Sequence, residues 1–336
     1  MLLLSLVALT IAAAWPMASP ARPTVRASAT QQSDLDLYRA TIRRVAAGED
    51  YYAAAADGLR KGGYPLKPFV TFRLPTLTCL HAHMPAIMLV MVQALLALGV
   101  LLIWWRRFGD LGLVQRALAG VLIIAGTAGL LSPAAGLLHE SWAGLLLALM
   151  IGLRRPGHAA GAIVAGALAL GIRETALPMI LVMGGLSLLE RRWKEALGWA
   201  AIVALFVAAL SAHAAMIASV VRPDDLASPG WSGMLGVRFA LDAVAAVSGA
   251  AVLPPALAAP LLLLSLFGWS SVATGWALRV SLLLLGYGAM LALFARADTF
   301  YWALLAAPLS LAGLVFVPRA IAALVSAARG VAQRAP

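Results

Sequence analysis

From residue 84 to residue 317 the chain is a succession of long apolar runs broken only by short polar turns, and no soluble core can absorb that many. The runs fall at 84–105, 117–132, 135–153, 159–172, 175–189, 197–220, 256–273, 278–295 and 300–317. Hydrophobic residues make up 62% of the chain and charged residues 12%, against roughly 45–50% and about 25% in soluble domains. A bilayer is the solvent that fits, since a spanning helix takes about 20 mostly apolar residues. Alanine, leucine and glycine dominate rather than alternating valine and threonine, so helices are expected and an outer-membrane barrel is not. With a further apolar stretch at 1–19, the expected fold is an all-α, polytopic bundle of about ten transmembrane helices.

Stretch 1–19 has no positive charge ahead of its apolar core. It reads as a retained first transmembrane helix rather than a cleaved signal peptide. Residues 20–83 form the one sizeable polar segment, with nine of the 25 Lys and Arg and five of the 14 acids. Within it, 33–47 reads as an amphipathic helix with Ser33 as N-cap and Gly48 as its stop. A second helix is expected over 49–61, ended by Gly62-Gly63, followed by irregular backbone around Pro65, Pro68 and Pro75. Residues 84–318 are the multi-span part, with 232–253, inside a polar-flanked stretch near 222–254, expected at the interface rather than across it; 319–336 is the tail.

The net charge of +11 is distributed as a topology signal, in clusters between apolar runs, and does not point to nucleic acid. With 20–83 outside, twelve cations lie on inner loops and the tail and four, Arg173, Arg222, Arg238 and Arg296, on short outer loops. The acids do the opposite, eleven of 14 lying on the outer side. Acids contribute little to topology, so a functional site on the outer face is one explanation for them. Cys79 is the one cysteine, which excludes an intrachain disulfide.

Several residues carry chemistry in more than one way. Asp34 and Asp36, two positions apart, are either a solvated helix face or a source of a general base. Arg173 and Glu174, between two short spans, are either an ion pair pinning the turn or a phosphate-binding pair. Arg222, Arg238 and Arg296 suit lipid head groups, or together with Arg73 a phosphate. Glu140, beside His139 and Trp142, is either an acid favouring a helix N-terminus or a polar ligand-binding group. Cys79-x-His81-x-His83 does not have a familiar zinc spacing and reads as incidental. Gly230-Trp231-Ser232-Gly233 reads as an interfacial turn. No phosphate-binding glycine loop, HExxH or GxSxG occurs.

The order of these elements carries a resemblance. Asp34-Leu35-Asp36-Leu37-Tyr38 after the first span and Gly48-Glu49-Asp50-Tyr51 resemble the first outer loop of bacterial GT-C-fold glycosyltransferases, integral membrane enzymes that use polyprenyl-phosphate sugars. So do Arg73-Leu74-Pro75-Thr76, His139-Glu140-Ser141-Trp142, Ile172-Arg173-Glu174-Thr175 and Arg296-Ala297-Asp298-Thr299-Phe300-Tyr301. The likeness is loose over most of the chain and best in the first loop; it is to small members of the class, without a large soluble C-terminal domain. The resemblance implies a GT-C bundle in the bacterial inner (cell) membrane with a periplasmic active site.

It also implies that an aspartate of the first outer loop is the general base: Asp34 by position, with Asp36 in reserve, since the Asp-Glu pair of some members is absent. Arg73, Arg173, Glu174, Arg296 and Tyr38 would bind the donor and its phosphate, and Glu140 and Trp142 the sugar. The implied partners are a lipid-linked sugar donor, a glycan or lipid acceptor and membrane lipids. No cofactor is demanded, although some relatives use a divalent metal. The rival reading, a transporter or flippase of a lipid-linked or anionic substrate, predicts charges near mid-membrane and symmetric halves, whereas here the charges collect at one face. A membrane scaffold without activity would need no convergence of the outer polar residues.

Overall fold

A computed structural model describes residues 29–332; the expected first membrane helix, 1–19, lies outside them. The described residues are all-helical, 79% helix with no strand. They form a polar cap followed by an apolar bundle.

The cap is α1 (Ala29–Ala46), α2 (Tyr51–Lys61), a 3₁₀ turn at Phe69–Thr71, and α3 (Pro75–His83). Gly48 stops α1 because its φ of 90° is one that side-chain-bearing residues rarely adopt. Asp50 caps α2, its carboxylate accepting from the Ala53 backbone N–H at 3.0 Å. These ends differ from expectation in three places. Helix α1 begins at Ala29, so Ser33 sits inside it and is not the cap. Helix α2 begins at Tyr51 rather than Glu49, because Asp50 takes the N-cap. Pro75 opens a helix rather than extending the loop: at the first helical position a missing N–H costs nothing.

The bundle is α4 (Ala86–Arg107), α5 (Leu113–Thr127), α6 (His139–Leu153), α7 (Ala160–Ile172), α8 (Leu177–Leu189), α9 (Trp193–Val220), α10 (Gly236–Ala246), α11 (Pro255–Ser270), α12 (Gly275–Phe294) and α13 (Val317–Ala332). Five helical stretches are long and apolar enough to cross a membrane: Ala86–Arg107, Leu113–Leu131, Trp193–Val220, Gly275–Phe294 and Ala307–Ala328. This is the build of a multi-pass membrane protein. The outward faces of α4, α5 and α9 agree with it, for Ile87, Leu95, Leu118, Val121 and Leu205 are all largely exposed. Such a surface is stable against lipid, not water.

Four expected spans, 135–153, 159–172, 175–189 and 256–273, are shorter apolar helices. At 1.5 Å per residue the 13 residues of α7 reach only about 20 Å, short of a core of about 30 Å. Helix α6 is apolar all round because it is the axis of the bundle: every residue but Leu149 and Leu153 is buried. The expected interfacial stretch holds α10, whose 11 residues are too few to cross.

The expected span 300–317 is the largest departure. Residues 297–316 are mostly consecutive 3₁₀ turns, almost wholly buried. Backbone of this kind is tolerated at membrane depth only inside protein, and neighbouring elements supply what a regular helix would. The Trp269 indole donates to the Leu309 carbonyl at 2.9 Å, and the Gly313 N–H donates to the Ser265 hydroxyl at 3.1 Å. The run approaches α6 so closely that a Cβ on Gly144 would lie 2.2 Å from the Leu304 oxygen. On α5, one on Gly126 would lie 2.6 Å from that of Ala307. Glycine at those two positions is what admits the run.

The charged groups separate to the two ends. At one end Arg154 pairs with Glu190 and Glu195, and Arg279 pairs with Glu190. At the other end lies the cap. Arg60 grips Asp225 with two bonds of 2.7 Å, the Leu66 N–H donates to the Leu226 carbonyl at 2.9 Å, and the Tyr52 hydroxyl meets His213 Nδ1 at 3.1 Å. These contacts fasten the cap to the far end of α9 and the loop after it.

Candidate functional site

Between the cap and the bundle is a cavity of about 330 Å³. Helix α1 carries Asp34 and Tyr38 to its wall one turn apart. The irregular stretch after α2 brings Tyr64 and Arg73. From the bundle come the α7–α8 turn with Arg173 and Glu174, the loop before α10 with Ser228 and Trp231, and the start of the 3₁₀ run with Arg296, Asp298 and Tyr301. Residues up to 268 positions apart in sequence thus face one space, as Asp34 and Trp302 do.

Arg73 is held by neutral groups. Its Nη2 donates to the Tyr301 hydroxyl at 2.9 Å and its Nε to the Tyr38 hydroxyl at 3.3 Å, while its own carbonyl accepts from the Tyr51 hydroxyl at 2.6 Å. Among the described residues no carboxylate lies within 4 Å of its guanidinium. The other two arginines are engaged. Arg173 is 1% exposed, with Nε 2.7 Å from Glu140 Oε1 and Nη1 on Glu174. Arg296 makes a fork with Asp298, at 3.1 and 3.2 Å, on the more open side of the cavity.

Asp34 is the complement of Arg73. It is bonded to Tyr64 and has no cation within ion-pair distance among the described residues. Burial pushes its carboxyl above the usual range; the bond to Tyr64 and the more distant Arg73 and Arg296 pull the other way, and Asp298 adds to the rise. The cavity therefore presents one guanidinium and one carboxylate that are not neutralised by each other. That pair can bind an anion at one point and take a proton at another.

The remaining sequence candidates are placed differently. Asp36 is exposed and pairs with Arg39 at 2.9 Å, on the side of α1 away from the cavity, as a step of about 200° along a helix requires. Glu140 and Trp142 stand behind the wall rather than on it. Glu140 is 1% exposed against Arg173, and the buried Trp142 indole donates to the Gly136 carbonyl at 2.8 Å. Arg222 and Arg238 do not line the cavity. His81 meets the Gly136 carbonyl and His83 the Cys79 carbonyl, and the described residues contain no cluster of three or more metal-ligating side chains.

Sequence reasoning missed the tyrosines that hold Arg73, Tyr51 and Tyr301, and the cavity positions of Tyr64 and Trp231. Tyr51 and Tyr301 were within the quoted motifs, but nothing in their spacing shows that they meet at one arginine. Compared with family models, with curated proteins and with solved structures, the chain matches none.

Proposed function

We propose that this protein is a membrane glycosyltransferase of GT-C type, transferring one sugar from a polyprenyl-phosphate donor to a lipid-linked or cell-surface glycan acceptor on the periplasmic face of a bacterial inner membrane. The observation that carries the reading is the meeting in one cavity of Asp34, whose carboxyl pKa burial raises and which has no ion-pair partner among the described residues, with an arginine, Arg73, that no described carboxylate neutralises. In the proposed reaction Asp34 accepts the proton of the acceptor hydroxyl as that oxygen bonds to the anomeric carbon. The bond from that carbon to the phosphate oxygen breaks, and its electron pair leaves with the lipid phosphate. Arg73, with its planar fork of donors, stabilises the departing charge, and Arg296 at the open side assists by exchanging Asp298 for the phosphate. Arg173 acts by holding the turn that carries Glu174.

A volume of about 330 Å³ suits one sugar with its phosphate rather than an oligosaccharide. A metal enters no step of this scheme. A flippase would have to carry the head group past α6, where the bundle is filled with apolar side chains. The test is transfer in vitro from a radiolabelled polyprenyl-phosphate sugar to membrane-extracted acceptors. Purified protein should form a new glycoside, and Asp34→Asn should lower the rate by about 10²–10⁴-fold, the usual contribution of a general base. Movement of the lipid across vesicles without a new glycoside would replace this reading with the transporter.

A further inference from the structure

The walls of the cavity hold more polar atoms than the protein itself satisfies. Four of them, Thr71 Oγ1, Glu174 Oε2, Thr175 Oγ1 and Trp302 Nε1, are buried without a hydrogen-bond partner, and all four residues line the cavity. A buried polar atom without a partner is costly, so such atoms are normally few and each calls for an explanation. Here they gather around one space.

Their surroundings hold them in place. Arg173 Nη1 engages Glu174 Oε1, which leaves Oε2 as the free oxygen. The Tyr287 hydroxyl donates to the Thr175 carbonyl at 2.8 Å, pinning the α7–α8 turn that carries Glu174 and Thr175. Trp302 follows Tyr301, whose hydroxyl accepts from Arg73 at 2.9 Å, so the indole hangs on the same buried 3₁₀ turn as the clasp on that arginine.

Their chemistry narrows the ligand. An ionised Glu174 only accepts, the indole N–H only donates, and the threonine hydroxyls do either. A phosphodiester accepts but cannot donate, so it cannot satisfy Glu174. An ammonium group donates but cannot accept, so it cannot satisfy Trp302. A hydroxyl does both. Charge narrows the ligand further. On the wall Arg73, Arg173 and Arg296 are matched in number by Asp34, Glu174 and Asp298. One phosphodiester at Arg73 leaves an excess negative charge, and Glu140 against Arg173 adds to it. A second anionic group on the same ligand would be repelled.

We infer that Glu174, Thr175 and Trp302, with Thr71 from the cap, are the wall that reads sugar hydroxyls, and that the sugar held there is uncharged, a hexose or pentose rather than a uronic acid. The inference rests on the proposed reading for the phosphate at Arg73 and adds the residues that select the sugar. It moves that role from Glu140 and Trp142, which do not line the cavity.

The experiment is calorimetric titration of the purified full chain in detergent with soluble methyl phosphodiesters of sugar 1-phosphates. Those of glucose, galactose, mannose and arabinose are compared with those of glucuronic and galacturonic acid, and with dimethyl phosphate as the anion without a sugar. Wild type should bind its best neutral ester about tenfold or more above either uronic ester and above dimethyl phosphate. Thr175→Val and, independently, Trp302→Phe should each weaken the best neutral ester by about three- to tenfold, the worth of one hydrogen bond. Dimethyl phosphate binding and melting temperature should not change in these two variants. Glu174→Gln should narrow the gap between neutral and uronic esters, because the amide removes the repulsion, and Arg73→Gln should weaken every ester.

Equal binding of dimethyl phosphate and every sugar ester would overturn the inference, as would a uronic ester bound as tightly as the best neutral one. So would unchanged affinity in both Thr175→Val and Trp302→Phe, or a collapse of melting temperature in both, which would mark these atoms as packing groups. Selective binding that depends on Thr175 and Trp302, without transfer from any polyprenyl-phosphate sugar, would keep the hydroxyl-reading wall and remove the glycosyltransferase reading. Transfer of a uronic acid would do the reverse, so the two failures are distinguishable.

Discussion

Asp34 and Arg173 show how differently two charged residues on one cavity can be used. Asp34 is half-buried and its carboxyl is shifted upward, chiefly by burial. A carboxyl whose folded pKa is raised favours the fold in its protonated form, so its stabilising contribution is lost as pH rises through that pKa. At neutral pH Asp34 is therefore a cost to folding, and under the proposed function Asp34→Asn should melt no lower than wild type while losing transfer. General-base action needs the carboxylate, so the rate should fall as pH drops through a midpoint above the ordinary aspartate range near 4, read from kcat/KM against pH. Asp36→Asn should leave rate and profile unchanged, since its partner is Arg39 at the exposed side of α1. Arg173 is the reverse case. With Glu140 1% exposed against it, removing the cation leaves a buried, uncompensated carboxylate. Arg173→Ala should cost about 3–5 kcal/mol, seen as a lower detergent melting temperature, whereas Arg73→Gln should raise the KM for donor with little change in melting. An Arg173→Ala protein that melts normally would return Arg173 to a direct role on the substrate.

At the scale of elements, the departures from the sequence reading share one cause. Hydropathy reports that a segment is apolar, but not whether its neighbours are lipid or protein. The exposed runs of α4 and α9 were legible because their 22 and 28 residues match a bilayer. The segment 300–317 is as apolar, yet it is 3₁₀ backbone walled by α5, α6 and α11, and only the glycines facing it betray the close approach. The cap was legible at Gly48 and Gly62, where backbone chemistry is local; the helix starts were not, because Ser33 offers a cap that α1 simply extends past and Asp50, inside the expected second helix, takes the N-cap of α2. In the same way Arg173 and Arg296 could be picked out as charges between apolar runs, and Asp34 and Arg73 through the motifs that carry the resemblance, while the tyrosine clasp on Arg73 depends on contacts across 228 positions. The glycine argument predicts that Gly144→Ala forces α6 and the 3₁₀ run apart, at an overpacking cost of about 1–3 kcal/mol. Gly112→Ala, where an added Cβ meets nothing within 4 Å, should be near neutral. Detergent melting curves of the two variants check this, and equal melting would remove the close-packing account of the run.

For the whole molecule, the decisive question is which side of the membrane the cavity faces. The bundle sorts its charges to two ends, Arg154, Glu190, Glu195 and Arg279 at one and the cavity at the other. Positively charged loops are retained on the cytoplasmic side, and the end near Arg154 also carries Arg106, Arg107, Arg155, Arg191, Arg192 and Lys194, with only Asp110, Glu190 and Glu195 against them. Under the proposed reading that imbalance predicts a cavity facing away from the cytoplasm, where a lipid-linked donor and a surface glycan would meet. Lys61 on the cap and Arg155 at the other end are both exposed, so each can be replaced by cysteine without disturbing the core. On a Cys79→Ser background in intact cells with a permeable outer membrane, a thiol reagent that cannot cross the inner membrane should label Lys61→Cys directly. It should label Arg155→Cys only after the inner membrane is opened. The opposite pattern would place Asp34 and Arg73 in the cytoplasm, and a periplasmic transferase would be excluded whatever the chemistry of the cavity.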